Sequence, residues 1–215
     1  MPRYKDEMRS QAKADTRQAL LHAAIDEFAR EGFGGAGIDR ISLAAGFAKG
    51  TIYNYFPSKR SLMLAAIEEI GRRHQELVLE LVTSAADPQL KLLRFLDTAM
   101  MFLEQDPAAV RVIVATIYGP DGEFRSKVLQ VYQPMFELVA QEIVAQGVVD
   151  GVFRSTDVEA TSRVLITLYL VTVSHRADDG AMWLEPESVV TFVTRALNHE
   201  ASASRQDSAY GMRGR

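Results

Sequence analysis

Ile38-Asp39-Arg40-Ile41-Ser42-Leu43-Ala44-Ala45-Gly46-Phe47-Ala48-Lys49-Gly50-Thr51-Ile52-Tyr53-Asn54-Tyr55-Phe56-Pro57-Ser58-Lys59 is the stretch on which the reading of this chain turns. Ile38 to Ala45 has the pattern of a two-turn apolar helix, Gly46 marks a turn, and Lys49 to Phe56 reads as a second short helix. At 100° per residue Ile52 and Phe56 share one face and can pack on Ile38, Ile41 and Ala45, and on Phe28 of the preceding helix. The opposite arc carries Gly50, Thr51, Asn54 and Tyr55, with Tyr53 on its flank. Every larger side chain on that arc can hydrogen-bond, and Gly50 adds no bulk, so a flat surface can approach closely. Such an arc suits the major groove of DNA, with Thr51 and Asn54 toward base edges and Tyr53, Tyr55 and Lys59 toward phosphate or a thymine methyl. Lys49, Arg40 and Arg17 would supply positive charge around it. A polar outer face is also the default of any amphipathic helix.

Upstream, Asp15 with Gln18 three residues on reads as a capping box that opens a first helix, with Leu21, Ala24, Ile25 and Phe28 on one face and Gly32 at its end. Downstream, Ser58 reads as the N-cap of a long helix through Leu64, Ile67, Ile70, Leu77 and Leu81. Gly71 lies inside that helix, which implies either close packing or a hinge. Asp87-Pro88 and Asp106-Pro107 each put a capping Asp before a Pro at the first helical position and start two more helices. Another spans about Glu123 to Gln146, with a kink expected at Pro134. Thr156 with Glu159 opens an apolar helix to about His175, and a last helix starts near Pro186. The tail 202–215 is polar and is expected to be disordered. The fold class is therefore all-α: a three-helix helix-turn-helix domain over 1–57 with a basic N-terminal arm, then a larger helical bundle over 58–201, about nine helices in total, three short and six longer.

Composition narrows the function. The 215 residues carry a net charge of −4, but residues 1–62 hold ten Lys+Arg against seven Asp+Glu, so the basic end is the N-terminal one. Cysteine is absent, which excludes disulfides, thiolate metal sites and thiol redox sensing. The longest apolar stretch, Leu165 to Val173, is too short and too interrupted by threonines to span a membrane, and the N-terminus lacks the apolar core of a signal peptide; a soluble cytoplasmic protein is expected. His22, His74, His175 and His199 have no partner at metal-ligand spacing and read as surface or pocket residues, so neither metal nor cofactor is expected. No phosphate loop, serine elbow or nucleophile with a base is present, which argues against an enzyme. Met100, Phe102, Tyr118, Tyr132, Phe136 and Tyr169 fall on helices of the C-terminal part, where they could line an apolar ligand pocket; the same positions also suit plain core. A helical ligand carrier or an enzyme would need no DNA-facing arc, and a protein-interaction adaptor could use the first helices as a docking surface.

The run Ile38 to Lys59 closely resembles the DNA-binding signature of the TetR (tetracycline-repressor-like) regulators, and Thr16-Arg17, Ala24, Phe28 and Gly32-Phe33 resemble that family's first helix. The resemblance implies a homodimer on a near-palindromic double-stranded operator, released by a small molecule bound in the C-terminal part, where the set Met100 to Tyr169 suggests a hydrophobic effector, with Arg17, Gly37, Arg40, Lys49, Gly50, Thr51, Tyr53, Asn54, Tyr55 and Lys59 at the DNA. It also implies that the last two helices form the dimer interface, through Val164, Leu168, Val171, Val189, Phe192 and Val193, although such apolar faces are what any core helix shows. The chain departs from the family pattern at Gly37, where Thr or Ser is usual, at Ser42 in place of alanine, and at Ala48 in place of serine.

Overall fold

A computed structural model describes residues 2–154, 157–174 and 186–198, and all regular structure among them is helical. The elements are α1 (Pro2–Gly35), α2 (Ile38–Ala44), a 3₁₀ helix (Thr51–Asn54), α3 (Lys59–Thr83), α4 (Pro88–Gln105), α5 (Pro107–Ile117), α6 (Gly122–Leu138), a π-helical segment (Val139–Ala145) that continues α6, α7 (Gln146–Val149), α8 (Val158–Ser174) and α9 (Pro186–Asn198). The all-α expectation is met. None of these helices is long and apolar enough to cross a membrane.

The caps are where local chemistry decides. Ser58 accepts from the Ser61 amide and Ser61 returns the bond to the Ser58 amide, both at 3.0 Å. Asp87 accepts from the Leu90 amide at 2.9 Å and Asp106 from the Ala109 amide at 3.0 Å, each ahead of its proline. These are the starts that the sequence predicts. Two other starts differ. Asp15 caps nothing: it lies inside α1, where its carboxylate accepts from the Gln11 amide at 2.8 Å, and Gln18 instead donates to Glu69 of α3 at 2.7 Å. No breaker stands between Pro2 and Asp15, and the intervening Lys, Glu, Met, Arg, Gln and Ala residues are good helix formers. The first helix is thus the longest among the described residues, at 34 residues, rather than one of three short ones, and its helical backbone breaks at Gly32, where the sequence puts its end. At α8 the side chain that accepts from the first turn, from the Ala160 amide at 2.9 Å, belongs to Asp157; Thr156, His175, His199 and the tail 202–215 lie outside the described residues.

Pro134 sits within α6, which runs on through it to Leu138, and a π-helical turn follows from Val139. In the turn before the proline, the Gln75 amide donates to the Val131 carbonyl, a side-chain tie from α3 to the α6 backbone.

Two apolar cores result. Leu20, Leu21, Ala24, Ile25 and Phe28 of α1 pack with Ile41, Ile52, Phe56, the first half of α3 (Leu62, Ala66, Ile67, Ile70), α5 and the start of α6. Val78 and Val82 of α3 join Leu92, Phe95 and Ala99 of α4, Met135, Val139 and Ile143, Leu165 and Tyr169 of α8, and Val189, Val193 and Leu197 of α9. Helix α4 reaches into both, through Phe102 and Leu103 at its end, as do α3 and α6. Gly71 stands at their crossing: α3 runs unbroken through it, and a Cβ there would lie 2.1 Å from Val131 Cγ1. Close packing, not a hinge, is its role.

The joint between α1 and α2 is fixed by a buried carboxylate. Glu27, 3% exposed, accepts from the Gly37 amide at 2.9 Å and from Arg40 Nε at 2.7 Å, and it pairs with Arg30. Burial pushes its pKa up, but the Gly37 amide and the Arg40 and Arg30 guanidiniums outweigh that and hold it below the ordinary value.

Gly71→Ala should destabilise the fold by about 1–3 kcal/mol in chemical denaturation, because overpacking against Val131 exceeds the gain in helix propensity of about 1 kcal/mol; an unchanged midpoint would mean the two helices can part freely. Because the Glu27 pKa is depressed on folding, its stabilisation is complete above the unfolded value and disappears as pH falls through the folded one. The stability gap between the wild type and Glu27→Gln should therefore be constant from neutral pH to about 5 and close below that, a trend read from urea midpoints at successive pH values.

Candidate nucleic-acid interface and ligand cavity

The segment expected as a helix from Lys49 to Phe56 is shorter and tighter. Gly50 takes the left-handed conformation (φ 83°), so the helix begins only after it, and Pro57 closes the other side; what fits between is the 3₁₀ turn Thr51–Asn54. Lys49 and Gly50 therefore precede the helix instead of lying on its arc. With three residues per turn, positions three apart eclipse, which lines up Thr51 with Asn54. Ile52 and Phe56 are buried at 1% and 4% and anchor the turn on Ile41 and Phe28, as the spacing requires. Tyr53, at 56% exposure, and Asn54 project to solvent. Thr51 and Tyr55 are half-buried, and Tyr55 packs against the first core.

The cations around this edge divide into two kinds. Lys49 is exposed and only loosely paired, 3.5 Å from Asp39, and Arg17 is exposed with its guanidinium 5.2 Å over the Phe56 ring. Arg40 and Lys59 are instead engaged inside the domain. Arg40 is held by Glu27 and donates to the Gly35 carbonyl at 2.7 Å; Lys59 donates to the carbonyls of Gly34 at 3.1 Å and Ala36 at 2.9 Å, with its ammonium 5.0 Å over the Phe33 ring. Gly37 belongs to the same joint: its amide is bonded to Glu27, and a Cβ there would lie 2.9 Å from Arg40 Cζ. A larger residue at Gly37 would press on the arginine. Ser42 is fully buried and its hydroxyl has no hydrogen-bond partner. Glu27 was not anticipated as the organiser of this region, although a carboxylate three residues after Ala24 on the apolar stripe was a visible sign.

Below lies a cavity of about 700 Å³ between α3, α4, α5, α6 and α8. Phe102, Tyr132, Phe136 and Tyr169 line it together with Ile113 and Ile117. Met100 and Tyr118, which the sequence places in the same group, do not: Met100 is half-buried elsewhere on α4, and Tyr118 is 67% exposed at the end of α5. His74 is the lining residue that pattern reasoning missed as a specific site. It is 4% exposed, stacks on Phe102 with ring centroids 4.1 Å apart, and bonds to the Tyr132 hydroxyl at 3.1 Å and the Tyr169 hydroxyl at 2.5 Å. Its position four residues after Ile70 on the buried stripe of α3 was the available signal. Burial pushes the imidazole pKa down to about 4 and raises both phenols, so all three groups are neutral near pH 7. The rim carries Glu159 and Arg163, paired at 2.5 Å, with Gln133 and Thr167.

A second, shallower groove of about 360 Å³ runs between α8 and α9, lined by Val164, Leu165, Leu168, Phe192 and Val193 among others. Val164 and Phe192 are 58% and 67% exposed, Leu168 is half-buried, and Val189 and Val193 point into the second core; the Val171 side chain lies outside the described residues.

Residues 20–66 match the family described as bacterial regulatory proteins, tetR family. The chain is 27% identical over 195 residues, covering 86% of it and 84% of the relative, to the HTH-type transcriptional activator FasR of Mycolicibacterium smegmatis. It is 27% identical over 155 residues, 72% of it and 73% of the relative, to the HTH-type transcriptional repressor NicS of Pseudomonas putida. In fold it is similar to the transcriptional regulator FadR of Bacillus subtilis in complex with stearoyl-CoA, with a TM-score of 0.71, 20% identity, and coverage of 84% of this chain and 96% of that one. Residues 20–66 thus carry the helix-turn-helix of the bacterial regulatory proteins, tetR family, and along most of its length the chain is similar in sequence to HTH-type transcriptional regulators and in fold to a solved regulator.

Proposed function

We propose that the protein is a cytoplasmic, ligand-released repressor that binds a near-palindromic operator as a homodimer and catalyses nothing. The observation that carries this reading is the pairing, in one chain, of a solvent-facing polar edge at Thr51–Tyr55 with an apolar cavity of about 700 Å³. A volume of that order suits a small organic ligand. DNA is contacted by Thr51 and Asn54 at base edges, and by Lys49, Gly50, Tyr53, Tyr55 and Arg17 at or near the backbone. Gly37, Arg40 and Lys59 act mainly by fixing the joint that presents them. The division at residue 57 separates the DNA-facing part from the effector-binding part 58–201.

The dimer forms through the exposed apolar strip of α8 and α9, where Val164, Leu168 and Phe192 leave a face that a second copy can cover. Among relatives, FasR is an activator and NicS a repressor; the repressor sense is the one proposed here. The FadR structure with stearoyl-CoA supports an effector with a long apolar part.

Operator fragments selected from a random DNA library should bind with an affinity that falls linearly on a log-log salt plot. Tyr53→Ala with Asn54→Ala should weaken that binding at least tenfold while moving the unfolding free energy by no more than about 0.5 kcal/mol, since both side chains are exposed; undiminished binding would remove the DNA assignment. Phe192→Asp should convert the dimer to monomer in sedimentation equilibrium and abolish binding to the two-half-site operator; an unchanged mass would place the interface elsewhere.

A further inference from the structure

The floor of the cavity is polar, and its hydrogen bonds can be followed proton by proton. Thr98 Oγ1 lies 2.5 Å from the Phe95 carbonyl. A carbonyl has no proton to give, so Thr98 is the donor there. Thr98 Oγ1 is also 3.2 Å from the Tyr169 hydroxyl, and with its own proton spent it can only accept, so Tyr169 donates. The Tyr169 oxygen must then accept from His74 Nε2, 2.5 Å away. A neutral imidazole carries one N–H, which leaves Nδ1 bare, and the Tyr132 hydroxyl 3.1 Å from it becomes the donor. This is the one assignment of protons that turns all four contacts into hydrogen bonds.

Two further facts lock it. The ring of His74 is clamped by Phe102, parallel within 2°, and by Tyr169 at 5.6 Å. Burial holds the imidazole neutral near pH 7. The alternative tautomer would reverse the last two bonds and leave one of the two Thr98 contacts without a proton. Arg73, whose charge acts on Tyr132, makes no hydrogen bond to it and does not line the cavity; its Nη1 is taken by Asp106 at 2.7 Å.

We propose that the cavity selects effectors which bring a hydrogen-bond donor, a hydroxyl or N–H, to the phenol oxygen of Tyr132, because the relay Tyr132–His74–Tyr169–Thr98–Phe95 commits every polar proton of the floor elsewhere. This rests on the reading of the cavity as an effector site and specifies its chemistry. An apolar body sits among Phe102, Ile113, Ile117 and Phe136; its buried end is neutral and protic. A bare ether or ketone meets only lone pairs there, and a carboxylate is worse, since the floor among the described lining residues holds no cation and the rim arginine is already paired with Glu159.

Three matched probes test this on the full-length chain by calorimetric titration: 4-butylphenol, which donates; 4-butylanisole, which only accepts; and 4-butylbenzoate, an anion. The phenol should bind roughly three- to tenfold more tightly than the anisole, the worth of one neutral hydrogen bond, with the benzoate weakest. ¹⁵N NMR of the histidine rings, with His74 assigned by loss of its signals in His74→Gln, should find the proton on Nε2. Tyr169→Phe keeps the ring but removes the acceptor of that proton. The proton should then move to Nδ1, Tyr132 should turn its own into the cavity, and the advantage of the phenol should vanish. Equal binding of phenol and anisole to the wild type, or a proton on Nδ1, overturns the proposal and leaves the effector site standing. If none of the three binds, the effector reading falls and the proposal with it.

Discussion

The contact between α3 and α6 at Gly71 and Val131 is the constraint from which the rest of the arrangement follows. Because glycine lets the two helices meet without a side chain between them, α3 can give its first half to the core beneath the helix-turn-helix and its second half to the core around α4, α8 and α9. At 1.5 Å per residue its 25 residues span roughly 37 Å. Ser58 caps it just after the 3₁₀ turn Thr51–Asn54, and His74 points from it into the cavity floor. One rigid element thus carries both the end of the helix-turn-helix and the most buried polar group of the cavity. Arg60 near its start, bonded to Asp121 and Glu123 at the start of α6, ties the same two helices again at the other end of their contact.

How far the fold could be read from sequence depended on the range of the interactions involved. Asp87-Pro88, Asp106-Pro107 and Ser58 announce helix starts because the cap and its partner amide lie within three residues, and no distant group has a say. Asp15 carried the same local signal and was overruled, since the chain before it is as helical as the chain after it. The turn Thr51–Asn54 escaped in another way: its hydrophobic pair, Ile52 and Phe56, was visible, but periodicity cannot tell a 3₁₀ turn from an α turn over four residues, and the left-handed Gly50 that shortens it has no pattern of its own.

Buried polar residues were the hardest to read. Glu27 and His74 lie on apolar stripes, and their meaning comes from partners 10 to 95 positions away along the chain. The aromatic residues of the cavity were recognisable as a class, yet only helix rotation separates Tyr132 and Tyr169, inside, from Tyr118, outside. The positive charge of the first 62 residues was likewise a sum that hid a division of labour. Arg40 and Lys59 spend theirs on Glu27 and on carbonyl oxygens at the α1–α2 joint, so the domain holds its shape with some of the same residue types that would otherwise meet phosphate.

The π-helical turn from Val139 to Ala145 has a consequence for how this chain can vary. A turn of this kind holds one residue more than an α turn and so behaves as a single-residue insertion absorbed within a helix. Deleting one residue there would return the segment to regular α-helix and, because the turn already absorbs that residue, leave the facing of everything after it nearly unchanged. Gly147 would then still face Phe153, whose ring lies where a glycine Cβ would be. Reading-frame-preserving deletions are usually best tolerated in loops; in this protein a helix offers a place where one residue can be lost while the packing beyond it is kept.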